Sequence, residues 1–218
     1  MSGCPASTTR GDTGSTVGRL SDRLGEAVEF ARRHHGAQIR KGTETPYLSH
    51  LLAVAALAID DAASDLGLAD RLDDVAAAAV LHDTLEDTAA TPDELEDRFG
   101  REVRRIVEGC SDACDPAGTP PWRARKEVYL AQLEDADDAV LCVVLADKQH
   151  NARCIVADVT NLGPGVWDRF SAGPADQVWY YKAVVRVMTA RRPGRATDGL
   201  VSTVARLGDL ARRNLLLG

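Results

Sequence analysis

Apolar residues recur along this chain at helical rather than strand spacing. Leu20, Leu24, Ala27, Val28 and Ala31 fall on one face, which predicts a first helix ending near His35. Gly36 to Pro46 reads as a polar connection. Ser49 is placed to cap a second helix through Ile59, whose alanine-rich surface suits a mostly buried position. A third helix is expected from about Asp70 to Asp83 or a little beyond, apolar on all sides between Ala76 and Leu81. Thr91-Pro92-Asp93-Glu94 is a start signal: a Thr cap, Pro at the first helical position and an acid three residues after the cap. Gly100 ends that helix, and Arg101 to Glu108 makes a short one stopped near Gly109. Cys110 to Pro121 reads as a loop, because Asp115-Pro116, Gly118 and Pro120-Pro121 all break regular structure.

Further helices are expected at about 122–134, 137–157, 175–191 and 198–214. In the last, Leu200, Val204, Leu207 and Ala211 repeat at helical steps. No segment shows sustained strict alternation, so the expected class is all-α. Residues 1–19, rich in Gly, Ser and Thr, read as a disordered tail, and residues 20–218 as one helical domain. The expected core includes Leu24, Val28, Leu52, Val54, Ala55, Val80, Leu81, Ile106, Val143, Val144 and Leu145.

Charge narrows the possible partners. The 218 residues carry 26 Lys plus Arg against 33 Asp plus Glu, a net charge of −7. That balance speaks against non-specific nucleic-acid binding, which needs surplus cations, but not against a polyanionic small molecule neutralised locally by a metal. The longest apolar run, Leu51 to Ile59, falls short of the roughly 18–20 residues of a membrane span, and no apolar signal segment follows Met1. Cys4, Cys110, Cys114, Cys142 and Cys154 form an odd set with no framework spacing, as expected of a reducing cytoplasm. The pattern does not fix an oligomeric state.

The informative polar residues are those at apolar helices. His82 and Asp83 end one buried run, Asp147 follows another (Ala139 to Ala146), and His50 opens a third. A buried carboxylate needs a cation or strong donors, and two imidazoles with two carboxylates can converge on one divalent metal of hydrolytic character: Mn²⁺, Fe²⁺, Zn²⁺ or Mg²⁺. Taken singly, a His at a helix start is more often a cap or a surface group. Glu86 stands four residues after His82 and three after Asp83, so a continuing helix would bring the acidic pair Glu86 and Asp87 to the ligand face. Asn151 likewise follows Asp147 by four. Weaker candidates are Cys110 with Cys114 as half a zinc site, Arg101, Arg104 and Arg105 as an anion patch or a solvated face, and Trp179, Tyr180 and Tyr181 as base-stacking residues or core.

In Arg40-Lys41, Pro46-Tyr47-Leu48-Ser49-His50, Leu81 to Thr88, Phe99-Gly100 through Val107-Glu108-Gly109, and Leu145-Ala146-Asp147-Lys148 with His150-Asn151, the chain resembles the HD-domain (p)ppGpp hydrolases. These are the hydrolase halves of RelA/SpoT proteins and the stand-alone small alarmone hydrolases; no synthetase, TGS or ACT segment follows here. The resemblance covers about residues 25–160. It implies an all-α HD bundle, with His50, His82, Asp83 and Asp147 as ligands of Mn²⁺ and Glu86 and Asp87 as the pair that activates water. It also implies Asn151 as a substrate-positioning residue, and Arg40 and Lys41 beside the nucleotide. Lys148 is placed to meet phosphate, with a solvated lysine as the alternative. Cys154 and Ala157 depart from the residues common near the nucleotide. The implied reaction releases pyrophosphate from (p)ppGpp and leaves GDP or GTP. Two other readings stay open: an HD-type phosphatase acting on a nucleoside mono- or diphosphate or NADPH, and a catalytically silent alarmone-binding regulator.

Overall fold

The structure, a computed structural model, describes residues 20–112 and 120–215. The expected tail over 1–19, and Cys114 with most of the expected 110–121 loop, lie outside it. The described chain forms α1 (Arg23–His35), α2 (Leu48–Ala63), α3 (Leu72–Leu81), α4 (Thr84–Asp87), α5 (Pro92–Phe99), α6 (Arg101–Cys110), α7 (Trp122–Asp135), α8 (Asp138–Leu162), α9 (Pro174–Arg191) and α10 (Arg195–Leu215). Short 3₁₀ turns occupy Ala69–Arg71 and Pro164–Arg169. Among the described residues no strand forms. An isolated antiparallel bridge, Ile39 to Pro46, folds the polar connection back on itself.

α8 is the central element, walled by α2, α3, α6 and α10. Every residue from Ala139 to Asp147 is buried, so this half of the helix has no solvent face to carry polar residues. α6 presses on it closely: a Cβ at Gly109 would stand 2.7 Å from Val140 Cγ2. α3 is buried throughout Val75 to Leu81, and its alanines lie against α1, α2 and α6.

The start signal at Thr91 operates as expected, with its Oγ1 accepting from Glu94 N at 3.2 Å, and Gly100 closes α5 at φ +85°. Three expectations are corrected. α2 begins at Leu48, so Ser49 lies inside the first turn and caps nothing. Leu52 is 45% exposed, because the buried stripe of α2 runs through Leu51, Val54, Ala55, Ala58 and Ala62. The helix expected to reach Asp83 stops at Leu81, and one separate turn, α4, follows.

Arg104 is committed to Asp93, Glu96 and Glu108 at 2.8–3.0 Å, and Arg105 to Glu102 and Asp137, which makes this a paired surface. Tyr180 and Tyr181 belong to the core, while Trp179 lies under the Arg123 guanidinium, 3.8 Å from the ring centre.

Candidate metal centre and its two compartments

The break between α3 and α4 shapes the site. His82 follows the last turn of α3, and Asp83 precedes α4 with a backbone (φ −97°, ψ −1°) that turns the chain. Both side chains thereby meet His50 from the first turn of α2 and Asp147 from the middle of α8. Ligand atoms of His50, His82 and Asp83 lie within 4.8 Å of one another. His50 Nε2 is 3.3 Å from Asp147 Oδ1 and 3.5 Å from Asp83 Oδ2; His82 Nε2 is 3.7 Å and 3.0 Å from the same two atoms.

The chemistry of this set fits a cation. His82 Nδ1 donates to Ala79 O at 2.9 Å, which turns Nε2 toward the carboxylates and would leave its lone pair for a cation that replaced the Nε2 proton. That Nε2 is buried and has no hydrogen-bond partner of acceptable geometry. Burial by itself would lower the His82 pKa, but Asp83 and Asp147 outweigh it and hold the ring well above the usual imidazole range. Burial likewise pushes both carboxyls up, yet Lys148 and the imidazoles keep Asp147, and His82 and His50 keep Asp83, below the usual carboxylate range. The cluster therefore demands positive charge at its centre.

Neighbouring groups hold the four side chains in place. Tyr47 Oη donates to Asp83 Oδ2 at 2.6 Å, Lys148 Nζ to Asp147 Oδ2 at 2.6 Å, and Asn151 Nδ2 to Asp147 Oδ1 at 2.5 Å. His50 Nδ1 meets His150 Nδ1 at 2.8 Å. Burial, with His50 and Arg40 nearby, depresses His150 to about 4, so that ring is neutral at pH 7 and its Nδ1 can accept. Lys148 is held well above its usual range: burial opposes its charge, and Asp147 more than compensates.

Two compartments adjoin the cluster. The larger, about 290 Å³, is lined by Arg40, Lys41, Tyr47, Asn151, Cys154 and Tyr181, with Arg169 and Asp158 at one side. It reaches the cluster through Tyr47 and Asn151, and Arg40 Nη2 donates to Asn151 Oδ1 at 3.0 Å. The smaller, about 50 Å³, is lined directly by His82, Asp83 and Asp147, with Glu86, Asp112, Lys126, Tyr129 and Lys148.

The expected residues thus separate into groups. Arg40, Lys41, Asn151 and Cys154 share the larger compartment, whereas Lys148 faces the smaller one. Glu86 and Asp87 diverge, because the broken helix sends them different ways. Glu86 accepts from Asp112 N in the smaller compartment, where burial and Asp83 raise its pKa to about 7 against the pull of that N–H and of Lys148. Asp87 lines neither compartment and accepts from Gln38 Nε2 at 3.0 Å. Ala157 is exposed and away from both, while Cys154 packs its Sγ 3.7 Å from His150 Nε2. Sequence reasoning assigned no role to Tyr47 or His150, although both lie inside the motifs it used. It also missed Asp112 and Lys126, paired at 2.5 Å, which no spacing signal announced.

Comparison with known proteins identifies the family. The HD domain family model matches residues 27–174. The human guanosine-3′,5′-bis(diphosphate) 3′-pyrophosphohydrolase MESH1 is 38% identical over 152 residues, covering 69% of this chain and 77% of that protein. The GTP pyrophosphokinase rsh of Brucella ovis is 37% identical over 137 residues, which are 61% of this chain and 17% of that much longer protein. A solved structure described as a metazoan orthologue of SpoT that hydrolyses ppGpp superposes with TM-score 0.65 at 24% identity, over 89% of this chain and 97% of that one. The likeness to that structure concerns the fold; together with the family match and the identity to MESH1, it means that this chain belongs to the HD-domain family.

Proposed function

We propose that this protein is a divalent-metal-dependent phosphohydrolase that removes the 3′-diphosphate of (p)ppGpp, adding water across the bond between O3′ and phosphorus to give pyrophosphate and GDP or GTP. The observation that carries the reading is His82 Nε2, buried without a hydrogen-bond partner between two carboxylates and a second imidazole. His50, His82, Asp83 and Asp147 would hold the metal, with Mn²⁺ proposed. A divalent cation there lowers the pKa of water and draws charge from a phosphoryl oxygen.

The remaining steps belong to the chain's own residues. His150 accepts from His50 Nδ1 and so turns the Nε2 lone pair of His50 toward the two carboxylates. Glu86, raised toward neutrality, takes the proton of the attacking water. Asp87 acts through Gln38 and the backbone of α4 rather than on the water directly. Asn151, tied to both Asp147 and Arg40, orients the substrate between metal and cavity. In the larger compartment the flat Arg40 guanidinium suits a purine face, and Lys41 offers phosphate a point charge. Lys148 and Lys126 place positive charge in the smaller compartment, where phosphoryl charge grows during cleavage.

The test is product analysis of the Mn²⁺-loaded protein with ppGpp. Pyrophosphate together with GDP is expected, and Asp83→Ala should abolish both. Orthophosphate from a simpler nucleotide, with ppGpp left intact, would move the assignment to an HD-type phosphatase. A full metal site with every nucleotide inert would leave the silent regulator.

A further inference from the structure

Among its described lining residues the larger compartment has three cationic side chains and a single carboxylate, that of Asp158. A carboxylate repels phosphate, so its place in a cavity read as the seat of a polyanion matters. Asp158 follows Asn151 by seven residues on α8, which sets the two about 10.5 Å apart along the axis at 1.5 Å per residue. Seven residues is also close to two turns, so both leave the same face of the helix. Asn151 is bonded to Asp147 and so marks the end of the cavity where the reacting phosphorus would lie. The distance from there to Asp158 is about the span from the 3′-phosphorus of a nucleotide to the far edge of its base.

The carboxylate is held in position. Its Oδ2 accepts from Arg169 Nη1 at 3.0 Å. Arg169 is seated in turn on the loop that carries Arg40 and Lys41: Gly42 has φ +74°, and a Cβ there would stand 2.5 Å from Arg169 Cδ. No described group donates to Asp158 Oδ1, and the side chain is 36% exposed. A carboxylate accepts on both oxygens, and Oδ2 keeps a second lone pair beside the one given to Arg169. Cys154 and Ile155 lie between Asn151 and Asp158, with Phe170 and Tyr181 as further walls, a stretch suited to a flat ring. Burial raises the Cys154 pKa, Arg40 lowers it and Asp158 raises it, so both charges lie close to this stretch.

We propose that Asp158 selects guanine, one carboxylate oxygen accepting the ring N1–H and the other the 2-amino group, while Arg169 keeps the carboxylate turned into the cavity. The assignment rests on reading this compartment as the nucleotide site. Among the common bases guanine carries two such donors side by side. Adenine places a ring-nitrogen lone pair where guanine has N1–H, and that lone pair would face the carboxylate.

The test is calorimetric titration of the Mn²⁺-loaded full chain with GDP, ADP and XDP, together with kcat and KM for ppGpp and ppApp. Wild type should bind GDP about ten- to a hundred-fold tighter than ADP, the usual discrimination of a bidentate base contact. KM should favour ppGpp over ppApp in the same ratio. Asp158→Ala should bring both ratios close to one by weakening the guanine ligand, with kcat for ppGpp little changed. Asp158→Asn should prefer XDP to GDP, because an amide accepts from N1–H and donates to the xanthine 2-oxygen. A folding defect cannot produce that gain. Wild type that binds GDP no tighter than ADP would overturn the proposal, as would a guanine preference that persists in both variants. Guanine preference in binding with ppGpp left intact would count against the proposed reaction and leave Asp158 as the selector. Hydrolysis of ppGpp and ppApp at equal KM would do the reverse.

Discussion

Asp147 joins two requirements in one side chain. It belongs to the candidate metal set, and it is also the partner that keeps the largely buried Lys148 charged. Asp147→Ala should therefore remove bound metal on elemental analysis and also lower stability by about 3–5 kcal/mol in urea unfolding, the usual cost of orphaning a buried charge. Adding Lys148→Met to that variant should restore part of the stability and none of the metal. Glu86 makes a different prediction. As a base it works ionised, and burial holds its pKa near 7, so kcat/KM should fall as pH drops through about 7. Glu86→Gln should cost about a hundred- to ten-thousand-fold in kcat, flatten that acidic limb and leave metal content unchanged; a limb that persists would assign it to another group. The four candidate ligands were legible because each is a polar residue bordering or following an apolar run. The separation of Glu86 from Asp87 was not legible, since spacing assumes a continuous helix and the chain turns at His82-Asp83.

Among the elements, those with both a periodic face and a terminal signal were read most accurately. α5 shows both: Thr91, Pro92 and Glu94 set its start and Gly100 its end. Thr91→Ala should cost about 1 kcal/mol and Thr91→Ser much less, measured as a shift in denaturation midpoint, because only the alanine leaves Glu94 N without its acceptor. Where the signal was a single residue it misled. Ser49 resembles a cap, but the Ile39–Pro46 bridge brings the chain into α2 at Leu48, so that Tyr47 stands at the cap position two residues earlier. The turn of α4 is too short for any periodicity to reveal, although the candidate metal centre depends on it.

On the scale of the whole molecule, a net charge of −7 contrasts with a cavity that gathers Arg40, Lys41 and Arg169. Of these, Arg169 is paired to Asp158 at 3.0 Å, and Lys41 stands exposed at the entrance. An anionic substrate such as the one proposed would thus meet an overall repulsive surface and be captured locally. Lys41→Ala should raise KM whatever the base, and the difference from wild type should shrink as salt rises, since screening acts first on exposed charge. The all-α class was legible from periodicity alone. The presence of two compartments was not, because one forms where the connection before α2, α8, the Pro164–Arg169 turn and α9 meet and the other where α4, α6, α7 and α8 meet, and the sequence does not encode such meetings locally.

The burial of α8 carries a further consequence, for the rates at which parts of the chain open. Amide hydrogens within a helix walled on every side exchange with solvent only through openings that approach complete unfolding. In deuterium labelling, residues 140–147 should therefore fill last, and stripping metal with a chelator should leave their rank unchanged. α4, one turn closed by Asp87 N on Asp83 O, should fill early. The centre would then combine a ligand on the slowest-opening segment with ligands next to one of the fastest. Metal would enter and leave by movement around Asp83, with Asp147 as the fixed post.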